Sequence, residues 1–328
     1  QKVQTLDFFV DYELHNTQGR GMSMKTDIAE FFDLADRHMR EGRYDEAISL
    51  YRKLSQMHPE DDSLVMSLAC AYRDSDRLSE AVLCLERLLK KELQRKTFTG
   101  FAFDELVKIY RNEGNHERLV AICESAVAVQ PDDVSLMITL GNAYLKAGKA
   151  SKAVEIFTTL TEMEPDAPSL FCNLGKANIA AGDFNRAEEA YGRAVAIEAS
   201  DAYKYYCELG MALFQAQQYE RSETALKRSL DCRPDQPLVH CALGDVFIKQ
   251  GKPDDAWRSY ERAVKLDPVS GGGYYNRLGN MLVGEHNHTM ASEAYRKAIE
   301  ADPENQFYRM RLAELSRTEP DNSSLLSS

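Results

Sequence analysis

A glutamate and two histidines stand together in the segment Glu285-His286-Asn287-His288, and these side-chain types can bind zinc. The histidine pair would need a further protein ligand that converges on the same point, and the sequence offers no evident one outside this segment. The segment also lies where a turn is expected between two helical stretches. We therefore expect a polar turn at this position and no metal site.

Cysteine is the other residue type that could carry chemistry, and the chain contains seven. The number is odd and no C-x-x-C pair is present, so neither a zinc ribbon nor a thioredoxin-like motif is supported. Free thiols in this number are typical of a reducing compartment, and we expect a cytoplasmic protein. Three cysteines recur at a similar interval, and we expect them to line a packed interior without forming disulfides: Cys172, Cys207 and Cys241.

The recognised catalytic motifs are missing from the sequence. It has no phosphate-binding glycine loop, no G-x-S-x-G elbow and no H-E-x-x-H helix. We therefore predict no catalytic residue, no cofactor and no enzymatic activity.

The charge balance bears on the class of partner. The chain has 328 residues, 52 of them acidic and 40 basic, giving a formal net charge of −12. Nucleic acids and anionic membranes favour basic surfaces, so neither is expected as the main partner. The sequence also lacks the long apolar run that would predict insertion into a membrane. A local basic cluster is an exception that could dock an acidic partner or be a solvated helix end: Lys90, Lys91, Arg95 and Lys96.

An internal repeat organises the chain. A Leu-Gly or Leu-Ala step recurs every 34 or 35 residues through most of the sequence, as at Leu140-Gly141, Leu174-Gly175 and Leu209-Gly210. Small, aromatic and apolar residues follow each step at spacings that place them on one helical face. A glycine marks a turn within most units and a proline closes most of them, so each unit is predicted to be two helices that stack on their neighbours.

This pattern resembles the tetratricopeptide repeat family. Eight units can be assigned, at residues 28–61, 62–95, 100–133, 134–167, 168–201, 203–236, 237–270 and 272–305. Residues 306–317 are predicted to be a C-terminal capping helix, and residues 318–328 a mobile tail. The resemblance implies an all-α, right-handed superhelical solenoid.

Residues 1–27 do not fit the repeat. Apolar and polar residues alternate between Leu6 and Leu14, which predicts a short strand. The segment is either the remnant of an upstream domain or a self-docking segment that occupies the groove.

The resemblance also implies a working surface. In this family the first helix of each unit lines a concave groove that binds extended peptides or partner helices. Asn142, Asn173 and Lys204 match three of the five positions at which some members hold a C-terminal carboxylate, but Ile138 and Glu208 replace the expected Lys and Arg. Phe101 and Phe214 are expected to be exposed aromatic anchors. The full set of predicted groove residues is Asn142, Lys146, Asn173, Lys176, Lys204, Phe101, Met211, Phe214, Asn276 and Asn280.

Three functions remain open at this point. The first is a non-catalytic scaffold or adaptor that binds a peptide or helix of a partner protein. The second is a regulatory or substrate-recruiting arm of a larger enzyme whose catalytic domain lies upstream. The third is a self-assembling scaffold, since a groove serves homo-oligomerisation as well as binding of other proteins.

Overall fold

A computed structural model describes residues 24–95 and 98–318 of the chain. The strand predicted between Leu6 and Leu14, most of the C-terminal tail and Lys96 lie outside the described residues. Within them, all regular elements are helical, which confirms the predicted all-α class. The α-helices are α1 (Met24–Arg40), α2 (Tyr44–Met57), α3 (Asp62–Asp74), α4 (Leu78–Arg95), α5 (Phe101–Asn112), α6 (His116–Val129), α7 (Val134–Lys146), α8 (Ala150–Met163), α9 (Pro168–Ala180), α10 (Phe184–Ile197), α11 (Ala202–Gln215), α12 (Tyr219–Cys232), α13 (Pro237–Lys249), α14 (Pro253–Leu266), α15 (Gly271–Gly284), α16 (His288–Ala301) and α17 (Gln306–Thr318).

The chain divides into two compact units, residues 1–147 and residues 148–328. In the first unit, one core cluster joins α1 to α4 around the buried side chains of Phe31, Tyr51 and Tyr72. In the second unit, one cluster joins α9 to α12 and another runs from α12 to α17. Within these clusters, helices therefore bury their apolar faces against their neighbours in sequence, as expected of a repeat protein.

The turn within each repeat requires a left-handed backbone. Glycine occupies this place in five repeats, with φ between +67° and +81° at Gly42, Gly114, Gly148, Gly182 and Gly251. Asp76, Gln217 and His286 hold the same place elsewhere, with φ of 59° to 60°. A side chain with a Cβ is disfavoured in this region. His286 is thus a turn residue under backbone strain, in agreement with the expected polar turn.

Close approach of the two helices of a repeat explains the Leu-Gly step. In the second unit, a Cβ added to the first-helix glycine would lie within 2.5–2.7 Å of a second-helix side chain. Such contacts are too short for carbon atoms, so only glycine allows the second-helix side chain to fill the space between the helices. The pairs are Gly175 with Tyr191, Gly210 with Leu226, Gly244 with Tyr260, and Gly279 with Tyr295.

Two buried serines replace the usual alanines in the sixth repeat without leaving a polar group unsatisfied. The Ser222 hydroxyl donates to the Gly210 carbonyl at 2.7 Å, and the Ser229 hydroxyl donates to the Tyr203 carbonyl at 2.7 Å. Both hydrogen bonds run from α12 to α11. A buried hydroxyl with such a partner avoids the free-energy penalty of an unmade hydrogen bond.

The C-terminal helix α17 occupies the segment that was predicted to cap the repeats. It packs against α16, and Leu315 belongs to the last core cluster. Tyr308 is also buried, and its ring would lie 3.0 Å from a Cβ added to Gly272. None of the helices in the described part of the chain is both long and apolar enough to cross a membrane.

Candidate binding surface on the first helices

The histidines of the last turn and the cysteines do not form a reactive or metal-binding site among the described residues. The His286 and His288 rings lie 6.2 Å apart, and the described residues contain no cluster of three side chains that could hold a metal ion. All seven cysteines are free thiols. Burial raises the pKa of Cys172 and of Cys241 to about 12, so both behave as small apolar side chains at neutral pH.

All ten predicted groove residues lie on first helices of the repeats. In the first unit, Phe101 begins α5, and Asn142 and Lys146 are exposed on α7. The other seven lie in the second unit, with Asn173 and Lys176 on α9, Lys204, Met211 and Phe214 on α11, and Asn276 and Asn280 on α15. Helices α9 and α11 are in direct contact, and Lys176, Lys204 and Met211 are exposed on them.

An ion pair joins α9 to α11. The Lys176 ammonium lies 2.6 Å from the Glu208 carboxylate, and the Tyr191 hydroxyl donates to the same carboxylate at 3.2 Å. Lys176 therefore compensates the negative charge that Glu208 places where the family resemblance implies a cation. The pair is partly exposed, so it contributes about 1 kcal/mol or less to stability.

Lys204 is also engaged by an acidic neighbour. Its ammonium lies 2.5 Å from Asp201, and this hydrogen bond raises the pKa of the lysine above its usual value. The same ammonium lies 5.7 Å from the centre of the Tyr203 ring. Within the second unit, the two predicted lysines therefore already have carboxylate partners, which argues against a strong carboxylate clamp at α9 and α11.

A second polar joint links α13, α14 and α15. Asp245 is only 5% exposed and accepts hydrogen bonds from the Tyr260 hydroxyl and from Arg277, whose Nε lies 3.1 Å away. Burial raises the pKa of the Asp245 carboxyl above its usual value, and the Arg277 charge opposes this effect. Sequence reasoning did not select Asp245 or Tyr260 as site residues.

The Lys176–Glu208 pair and the Asp245–Arg277 pair occupy equivalent positions in their repeats, but the positive and negative residues are exchanged. Lys176 and Asp245 each follow the first-helix glycine, while Glu208 and Arg277 each stand two residues before the next such glycine. A tyrosine sixteen residues after the glycine completes both joints. Aligning the repeats on their glycines would have brought these residues into register, so the signal that could have found Asp245 was present in the sequence.

The asparagines of α15 differ in their surroundings. Asn280 accepts a hydrogen bond from the Tyr295 hydroxyl at 2.9 Å and remains exposed. Asn276 is half-buried, and its Oδ1 has no hydrogen-bond partner among the described residues. Asn280 is therefore positioned by the second helix of its own repeat.

The expected exposure of the aromatic anchors is wrong. Phe214 is half-buried because it packs against the α12–α17 core cluster and lies 5.7 Å from the Tyr219 ring. Phe101 is half-buried in the first unit, beside Cys70 and Leu85. Met211 on α11 is 48% exposed and is the larger accessible apolar contact.

Comparison with models of known protein families identifies the family of this chain. Two models, both described as tetratricopeptide repeat, match the chain over residues 38–96 and over residues 138–201, 172–237 and 241–305. The chain belongs to the tetratricopeptide repeat family. The matched ranges cover more than half of it and include parts of both units.

Individual relatives are more distant. The small glutamine-rich tetratricopeptide repeat-containing protein 2 of Mycosarcoma maydis is 31% identical over 86 residues, which are 26% of this chain and 24% of that protein. The chain thus spans about a quarter of the length of this curated relative.

Solved structures resemble this chain only at low similarity. A tetratricopeptide repeat protein from Parabacteroides merdae is 12% identical, with a TM-score of 0.43 over 89% of this chain and 99% of that one. MamA is 17% identical, with a TM-score of 0.40 over 51% of this chain and 91% of the MamA chain. YrrB, described as having an unusual peptide-binding site, is 16% identical, with a TM-score of 0.37 over 60% of this chain and 97% of the YrrB chain. Because these TM-scores are low, the family assignment rests on the family models.

Proposed function

We propose that this chain is a non-catalytic protein-interaction scaffold, and that its first helices hold a peptide or helical segment of a partner protein. The observation that carries the proposal is the accessible face shared by α9 and α11. Lys176, Lys204 and Met211 are exposed there, while the second helices bury their small and aromatic residues in the core. An accessible face of this kind on neighbouring first helices is the surface that family members use for binding.

The chemistry of this face favours a segment of mixed character. Met211 offers a flexible apolar contact that adapts to different side chains. Asn173 offers both a donor and an acceptor for an extended peptide backbone. Because Lys176 and Lys204 already pair with carboxylates, we expect an internal segment with both charges to bind better than a free C-terminal carboxylate.

The test compares partners captured from a lysate by the wild-type chain and by two variants of equal helicity. Met211→Ala combined with Lys204→Glu alters the α9–α11 face. The matched control, Arg296→Glu, changes an exposed cation on the second helix α16. We expect a defined set of partners to be lost with the first variant and retained with the control. Retention of every partner by the double variant would reject this binding face.

A further inference from the structure

A cleft of about 560 Å³ lies in the first unit, between α2, α3 and α4. Its floor is apolar, formed by Val65, Leu68 and Leu88, and its wall carries the cations Arg52, Arg87 and Lys91. The cations belong to α2 and α4, which are second helices of their repeats. The cleft is therefore built from different helices than the face proposed above.

The cations of the cleft differ in how far they are neutralised. Lys91 lies 2.7 Å from the Asp62 carboxylate and donates to the Pro59 carbonyl at 2.8 Å. Arg87 is exposed and forms no ion pair with any carboxylate in the described parts of the chain. One end of the cleft is thus compensated internally at Lys91, whereas Arg87 keeps an unpaired positive charge.

Arg52 lines the cleft beside Tyr72. Its Nη2 donates to the Tyr72 hydroxyl at 2.7 Å. Burial raises the pKa of the Cys84 thiol, and the nearby charges of Arg87 and Arg52 oppose that effect, so both guanidinium groups lie near the same thiol. The Glu80 carboxylate on this side accepts a hydrogen bond from Arg77 at 2.9 Å, and the Arg77 contact together with the Arg52 charge lowers its pKa.

We propose that this cleft binds an anionic side chain of a partner peptide between Arg52 and Arg87, with an adjacent apolar side chain on the floor formed by Val65, Leu68 and Leu88. Guanidinium groups match carboxylate and phosphate oxygens through paired N–H donors, so either anion suits the site. The volume is in the range of small-ligand sites, roughly 300–1,000 Å³, and accommodates a pair of side chains. The net charge of −12 favours a peptide over a nucleic acid.

The experiment measures fluorescence anisotropy of labelled peptides with the full chain. One peptide has two glutamates between leucines, a second has phosphoserines in place of the glutamates, and a third has glutamines. We expect at least one anionic peptide to bind at least about tenfold more tightly than the neutral one, as charge-assisted hydrogen bonds require. The tighter of the two identifies the anion that the cleft prefers.

Variants locate the binding site. Arg87→Glu should weaken anionic-peptide binding by at least about tenfold, while Arg111→Glu, an exposed cation on α5 of the same unit, should change it less than about twofold. Arg87→Gln replaces Arg87→Glu if circular dichroism shows a loss of helix. Equal binding of the neutral peptide, or unchanged binding by the Arg87 variant, would overturn the proposal. Loss of binding with Lys204→Glu instead would place the peptide on α11 and would also overturn it.

Discussion

At the scale of single residues, the first-helix glycines show how one missing Cβ shapes a repeat. A Cβ added at Gly244 would lie 2.7 Å from the Tyr260 ring, which is fully buried. Gly192 on α10 is also helical, but an added Cβ there meets nothing within 4 Å. Substituting alanine at Gly244 therefore tests steric crowding, whereas the same substitution at Gly192 tests helix propensity alone.

We expect Gly244→Ala to lower the free energy of unfolding by about 1–3 kcal/mol because the Tyr260 ring must move in a packed core. Gly192→Ala should raise it by up to about 1 kcal/mol, since alanine favours the helix. Urea unfolding followed by circular dichroism measures both. Similar changes in the two variants would contradict the proposed close contact.

Thiol reactivity should follow burial. Burial raises the pKa of Cys123, Cys172 and Cys241 to about 12, so their reactive thiolate is negligible from pH 7 to pH 9. Cys232 is exposed. We expect maleimide to label Cys232 first in the folded protein and to reach the three buried thiols only after unfolding. Peptide mapping by mass spectrometry checks the order, and early labelling of Cys241 would contradict it.

At the scale of helices, the joint formed by Asp245, Tyr260 and Arg277 links α13, α14 and α15. The Asp245 side chain is 6% exposed and that of Arg277 is 46% exposed. The carboxylate therefore depends on its partners much more than the guanidinium does. Removing the arginine leaves a buried carboxylate without a counter-charge, whereas removing the aspartate leaves a partly exposed cation. The first change should therefore destabilise the protein more than the second.

We expect Arg277→Ala to destabilise the protein by about 3 kcal/mol, because it leaves a buried carboxylate without its counter-charge. Asp245→Asn combined with Arg277→Ala should recover most of that loss, since no buried charge remains. Thermal or urea unfolding measures both. If the double variant is no more stable than the single one, the ion pair is not the source of the effect.

The stability of the Arg277→Ala variant should depend on pH. Burial raises the folded-state pKa of Asp245, and Arg277 opposes that rise, so Arg277→Ala leaves the pKa further above its unfolded value of about 3.9. The folded variant then binds a proton more readily than the unfolded one. Its stability deficit relative to wild type should therefore be largest above the folded pKa and should shrink as pH falls toward the unfolded value.

At the scale of the molecule, a destabilising substitution is expected to affect mainly the helices near it. The α1–α4 cluster is formed only by residues of the first unit, and the α12–α17 cluster only by residues of the second. In repeat proteins each repeat is stabilised mainly by its immediate neighbours. We therefore expect Gly244→Ala to accelerate hydrogen exchange in α13, α14 and α15 while leaving α1 to α4 unchanged. Uniform acceleration along the chain would contradict this view.

The sequence by itself determined the family, the helical class and much of the local detail. The Leu-Gly period, the turn glycines such as Gly251 and the capping segment 306–317 all depend on spacing along the chain, which local physics translates into helices and turns. The ten groove positions were also placed on first helices, because helical phase follows from the same period.

The sequence period places the paired charges in register, but only the tertiary structure shows that they meet. Lys176 pairs with Glu208 and Arg277 with Asp245 across 32 residues of sequence, because stacked helices bring these side chains together. The half-burial of Phe214, the neutralised Lys91 and the exposed Arg87 depend in the same way on the neighbours of each side chain. A periodic pattern specifies the face on which a side chain lies, but its free energy and availability depend on the groups that the packed helices place around it.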